Sequence, residues 1–145
     1  MEIIYGPATT ADASVPKIRL AVDRLNLAKR RWRGTAEDGA EFGFDLPAPL
    51  RDGDVFLITD AAAYVLAQKY EPVLEVSVTA EALRDGAQAA RMGWLIGNLH
   101  FQIEVTPEVI RVVDDPAVRQ MFEREGIAFM ACKRVFHPIS GGHHH

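Results

Sequence analysis

The chain has 145 residues, 16 basic and 20 acidic for a net charge of −4, with 48% hydrophobic and 25% charged side chains. That is the composition of ordinary folded domains, and the length suits one domain or two small ones. Mass scaling lets about two thirds of the extended-chain surface be buried, so folding needs no disulfide, and the single cysteine, Cys132, allows none within the chain. An acidic balance argues against a nucleic-acid reader, whose contacts need concentrated positive charge. No stretch approaches the roughly 20 apolar residues of a membrane span. The first twenty residues lack the basic-then-apolar order of a secretory signal, so a cytoplasmic protein with neither nucleic-acid nor membrane partners is expected.

From Lys17 to about Tyr70, short apolar runs are separated by turn residues. The segment KIRLAVDRLNLAKRRWRG alternates imperfectly. Glu37, Asp38 and Gly39 then form a turn before AEFGFDL, whose Phe42 and Phe44 share one side of a strand, so the pattern predicts a hairpin. Pro47 and Pro49 keep LPAPL out of a central strand, and RDGD at 51–54 is a second turn, made by Asp52 and Asp54 around Gly53, before the buried-looking run VFLI. Gly34, Gly39, Gly43 and Gly53 suit a small β-barrel or sandwich, placed at 1–71 with a linker around Glu71 and Pro72. Lys29, Arg30, Arg31 and Arg33 form the one strongly basic patch. It reads first as a solvated strand edge and second as a docking surface for an acidic partner; Trp32 within it also raises nucleic-acid stacking.

The second half, 72–145, changes period. VLEVSV at 73–78 is a strand, and Leu83, Ala87, Ala90 and Trp94 recur at helical spacing after a Thr79 cap, with Gly97 and Asn98 at the end. HFQIEV at 100–105 and VIRVV at 109–113 form a hairpin around Pro107. Asp115 caps a second helix with Pro116 at its first position, an apolar stripe of Ala117, Val118, Met121 and Phe122, and Gly126 at its end. IAFMACKRVF at 127–136 returns as a strand. The order β-α-β-β-α-β is the ferredoxin-like split βαβ, with two helices on one face of a four-stranded antiparallel sheet. The fold class is thus a two-domain one, β-rich plus α+β.

No glycine-rich phosphate loop and no zinc-spaced cysteine pair is present. Cys132, in a strand, is expected to be a buried thiol. Asp115 is accounted for by capping and Asp114 by solvation, so the chain shows no catalytic set and an enzyme is not expected. Histidine is the informative type: of five, four fall in the final nine positions, His137 and the run His143, His144 and His145. Imidazole nitrogens suit nickel or zinc, and a clustered tail can wrap an ion. The terminal run after two glycines reads equally well as a purification-tag remnant. His100 has no such explanation and stands alone beside a strand.

Taken together, these segments resemble the urease accessory nickel metallochaperones. DGAEFGFDLPAPLRDGDVFL resembles the family's turn, strand and leucine-proline segment before L-R-x-G-D. YEPVLEVS resembles the strand that opens its second domain, and GWLIGNLH resembles H-[IL]-G-N-R-H, retaining Ile96, Gly97, Asn98 and His100. DPAVRQMFEREG is similar to the D-H-V-L-x-x-M-L-x-x-L-G helix, and FHPISGG to F-x-P-E-x-G-A-Y. The resemblance implies a partner-binding N-terminal domain, a ferredoxin-like domain that makes a homodimer, and a metal ion shared between subunits and assisted by a histidine-bearing tail. It implies Ni2+ as cargo, with Zn2+ or Cu2+ binding in vitro, and urease apoprotein or other urease accessory proteins as partners. It is divergent at the central metal-binding histidine, taken as that of D-H-V-L, which aligns with Pro116; Leu95, Leu99 and Ile139 also depart. The expected metal set is therefore His100, His137 and the tail histidines, with Asp114 or Asp115 adding an oxygen. The alternative is a non-metal assembly or adaptor protein on the same scaffold.

Overall fold

The computed structural model describes residues 1–8, 14–79 and 85–139. The chain divides into two compact units, Met1–Lys69 and Tyr70–His145.

In the first unit the elements are β1 (Glu2–Ile4), β2 (Lys17–Val22), the helical turn α1 (Arg24–Leu27), β3 (Arg31–Thr35), β4 (Glu41–Asp45), β5 (Val55–Ile58) and β6 (Ala63–Gln68). They form two three-stranded sheets, β1-β4-β3 and β2-β6-β5. The expected hairpin is β3 with β4, closed by a turn in which Asp38 accepts the Ala40 N–H and also the Tyr64 hydroxyl, at 2.6 Å. Asp54 makes the second turn as expected, accepting the Arg51 N–H, whereas Asp52 accepts the N–H of Gln68 at the end of β6 and ties the turn to that strand. A closed barrel does not form. Each sheet keeps its own ladder, β2 joins β6 in parallel and β1 joins β4 in parallel, and the two open sheets share one aromatic core.

Within that core Trp32 stacks on Phe44 at 4.0 Å, and Phe56 meets the rings of Phe42 and Phe44 edge-on at 5.1 Å. Trp32 is therefore an inward-facing packing residue and offers no surface for base stacking. Only Phe56 of the VFLI run is fully buried. At Gly34 a side chain is excluded, since a Cβ there would come within 2.7 Å of Leu20 Cδ2.

The second unit comprises β7 (Glu71–Ser77), α2 (Gly86–Asn98), β8 (Glu104–Val105), β9 (Val109–Val113), α3 (Pro116–Glu125) and β10 (Met130–Arg134), with sheet order β10-β7-β9-β8 and every neighbouring pair antiparallel. Glu71 and Pro72 open β7 and pair with Arg134 and Lys133. Pro72 is tolerated near the strand's start, where its carbonyl still accepts the Asp114 N–H. Leu74, Val76, Ile110 and Val112 of the sheet pack with Met92 and Ile96 of α2 and with Val118, Met121 and Phe122 of α3. Arg91 of α2 reaches Glu125 of α3 at 2.9 Å.

The helix α3 is as its punctuation predicts. Asp115 accepts the Ala117 N–H at 2.8 Å, Pro116 follows, and Gly126 ends the helix at φ 70°. Of the expected stripe only Ala117 is exposed. Asp115→Ala should lower stability by about 1 kcal/mol in urea unfolding, the usual cost of losing an N-cap. In contrast α2 is capped by Asp85, which accepts the Ala87 N–H, and not by Thr79. Its face is also reversed. Met92 and Ile96 are buried, whereas Ala87, Ala90 and Trp94 are exposed, Trp94 by 66%; Leu83 lies outside the described residues. Alanine and glycine on both sides of this helix give the pattern little contrast, and the bulkier Met92, Leu95, Ile96 and Leu99 go to the core.

Candidate functional site

The end of α2 shapes the surroundings of His100. Leu99 is the C-cap, the His100 N–H donates to the Gly97 carbonyl at 2.9 Å, and the Phe101 N–H donates to the Ile96 carbonyl at 3.4 Å. This is a Schellman ending, with Ile96 and Phe101 both joined to the core cluster. His100 occupies its left-handed position at φ 65°, and among the described residues it is the only non-glycine with positive φ. Glycine is the usual residue there, because a Cβ in this conformation costs about 1–2 kcal/mol. The side chain is exposed. The expected strand over 100–105 is accordingly cut to Glu104–Val105, since residues 100 and 101 are used in ending the helix.

His137 is also exposed and follows the buried Phe136. Its N–H donates to Glu104 Oε1 at 3.1 Å, and the Ile139 N–H donates to the Ile103 carbonyl at 2.7 Å. The last described residues therefore run alongside 103–104, three positions from His100. His143, His144 and His145 lie outside the described residues.

Both aspartates of the expected ligand set are engaged elsewhere. Arg119 grips Asp114 through two bonds, Nε to Oδ1 at 2.6 Å and Nη2 to Oδ2 at 2.8 Å, and these hold the carboxyl below its ordinary value. Asp115 accepts its helix-capping bond. Among the described residues no group of three or more histidine, cysteine or acidic side chains converges as a metal site.

Cys132 is half-buried, not a core thiol. Burial pushes its thiol up and the neighbouring Glu75 carboxylate pushes it further, the opposite of what a nucleophilic cysteine needs. The arginine partners of Glu75 and Asp114 were not legible as such: each pair is made by strand register or a helix turn and leaves no motif.

These features define a mixed β/α protein with an exposed imidazole at a helix end. Residues 71–145 match the family described as UreE urease accessory protein, C-terminal domain. The chain is 31% identical over 144 residues to the urease accessory protein UreE of Burkholderia mallei (strain SAVP1), covering 95% of this chain and 68% of that protein. The corresponding proteins of Burkholderia thailandensis and Burkholderia pseudomallei (strain 1710b) are also 31% identical over 144 residues, with 64% and 68% of their lengths covered. The chain thus spans about two thirds of the length of these relatives. It belongs to the UreE urease accessory protein family.

Proposed function

We propose that this chain is a non-catalytic accessory protein of urease maturation that carries nickel as cargo and passes it to urease apoprotein or another accessory protein. Its working form is a homodimer built on the second, ferredoxin-like unit, with the first unit contacting partners. The observation that carries the reading is His100 itself. A left-handed helix end favours glycine, and the outlier retained there is an exposed imidazole, the side chain nickel prefers. The exposed Trp94 with Ala87 and Ala90 gives α2 an apolar face suited to a second copy, which would bring two imidazoles to one ion. From Ile139 to His143 is four residues, a reach of about 14 Å. That suffices for the tail to return over the stretch from Ile103 to His100. His137 stands beside the same stretch, while Asp114 and Asp115 would first have to leave Arg119 and the α3 cap.

A second reading, a non-metal adaptor on this scaffold, draws on that engagement of Asp114 and Asp115. Nickel calorimetry at about pH 7.5, where few protons compete with the metal for its ligands, separates the two when run on protein truncated before His143 and on its His100→Gly variant. Glycine at φ 65° relieves strain, so the variant should be as stable as the parent or more so, by up to about 1 kcal/mol. Its nickel affinity should fall at least about tenfold, since losing even a group that only supports a ligand costs about 10–100-fold. No nickel binding by the parent would leave the adaptor, and unchanged affinity in the His100→Gly protein would mean that the ion is held without His100.

A further inference from the structure

The outer face of the β1-β4-β3 sheet carries a continuous groove that the metal-binding reading does not use. In the sheet register, Ile3 lies in line with Gly43 and Arg33, with the Asp45–Arg31 and Glu41–Thr35 pairs in the rows on either side, and Tyr5 and Met1, just beyond the ends of β1, line the hollows at those rows. One lip, from β1, is apolar and unusually open, with Met1, Ile3 and Tyr5 exposed by 63%, 40% and 67%. The opposite lip, from β3, carries the exposed Arg31 and Arg33. Gly43 lines the hollow between the lips, and its lack of a side chain lets Ile3 and Met1 lean inward from β1: a Cβ there would come within 2.9 Å of Ile3 Cδ1 and 3.2 Å of Met1 Cε.

The hollow between the lips has a volume of about 600 Å3. A second, of about 520 Å3, adjoins it at Arg31 and Asp45 and brings in Arg30. A third, of about 250 Å3, adjoins it at Met1 and Arg33. The groove therefore follows the strands from Leu46 to Glu41, roughly 17–20 Å at strand rise. Asp45 within it is held by Arg31 at 3.1 Å, and Glu41 lies at the far end. Arg30 and Arg33 stand on either side of the Arg31–Asp45 pair.

We infer that this groove binds an extended acidic segment of a partner protein, five or six residues long, in which carboxylates alternate with apolar side chains. The match is one of period. Alternate residues of an extended chain point to opposite sides and repeat every 6.5–7 Å or so, as do Arg31 and Arg33 along β3 and Met1, Ile3 and Tyr5 along β1. A segment laid along the hollow between the two lips turns its carboxylates to the arginines and its apolar side chains to Ile3 and Met1. A basic segment would meet like charge on one lip, and a uniformly acidic one would leave the apolar lip in water.

Fluorescence anisotropy of a fluorescein-labelled Glu-Leu-Glu-Val-Glu-Leu-Glu peptide with the intact chain tests this. Saturable binding that weakens with salt is expected, weakened at least about tenfold by Arg33→Glu, an exposed site where folding is not at stake, and also by Ile3→Asp. The same peptide with lysine for every glutamate should not saturate. Absence of saturable binding, equal binding of the lysine peptide, or insensitivity to Arg33→Glu would each overturn the inference. None of these outcomes bears on nickel, which the His100→Gly titration reads separately.

Discussion

Replacing Phe122 by alanine is expected to cost about 3–5 kcal/mol, the range for deleting a buried aromatic ring and leaving its cavity. Phe122 is wholly buried and lies where α3 meets the sheet, among Val118, Met121 and Ile110, with the Phe129 ring 5.5 Å away. The site has little room to collapse, because Asp115 and Gly126 fix both ends of α3 and the Ile127 N–H is bound to the Phe122 carbonyl at 2.8 Å. The unfolding transition of the second unit should therefore move well below that of the parent. Phe122→Leu, which refills most of the volume, should recover more than half of the loss. Urea unfolding followed by circular dichroism measures both, and a Phe122→Ala loss under about 1 kcal/mol would contradict this packing.

What the sequence made legible follows how local each determinant is. The helix α3 could be read to its ends because its cap, its proline and its left-handed glycine act within a turn of themselves. The hairpin of β3 and β4 and the run 109–113 were legible for the same reason. In contrast β1 and β6 gave no signal, because both depend on distant strands: β1 pairs with β4 in parallel and β6 with β2. The face of α2 was misread because its helical spacing is satisfied by two sets of residues, and only contact with Val112 and Phe122 chooses between them.

The candidate site divides along the same line. His100 could be picked out by residue type and by its family-like segment, but not its left-handed geometry, which arises from Phe101 folding back onto Ile96. The groove over Gly43 was illegible apart from its basic lip. The KRRWR segment gives no hint that Trp32 turns inward while Arg31 and Arg33 face Met1, Ile3 and Tyr5 across a glycine. That juxtaposition is made by the parallel pairing of β1, which no local pattern encodes.

Glu75 and Arg111 carry the other large effect. They are direct partners in the β7–β9 ladder, and Arg111 is likewise opposite Glu104 in the β9–β8 ladder. Arg111 Nε donates to Glu75, Arg111 Nη1 reaches Glu104 at 3.3 Å, and Arg134 of β10, opposite Glu71 in the ladder, reaches back to within 3.5 Å of Glu75, so the charges link all four strands. Glu75 is only 6% exposed. Burial pushes its carboxyl up, but the Arg111 hydrogen bond, the Cys132 thiol and the two positive charges together bring it below its ordinary value of 4.5. Its contribution to stability is therefore present above pH 4.5 and lost as the pH falls through the lower folded value. Arg111→Met removes the main partner and leaves burial dominant, so Glu75 becomes a carboxyl that resists ionising in the folded state. The variant should lose about 3–5 kcal/mol at pH 7, the cost of stranding one buried charge. The deficit should shrink as the pH drops below 4.5, where the variant's Glu75 carries a proton in the unfolded chain as well as in the folded one and no charge has to be buried. Urea unfolding at pH 7 and pH 4 measures the difference. Glu75→Leu combined with Arg111→Met should regain much of the stability at pH 7, because the most buried of these charges is then gone, although Glu104 still lacks its arginine. An equal deficit at both pH values, or a double variant no better than Arg111→Met, would mean that the arginine acts through packing and not through its charge.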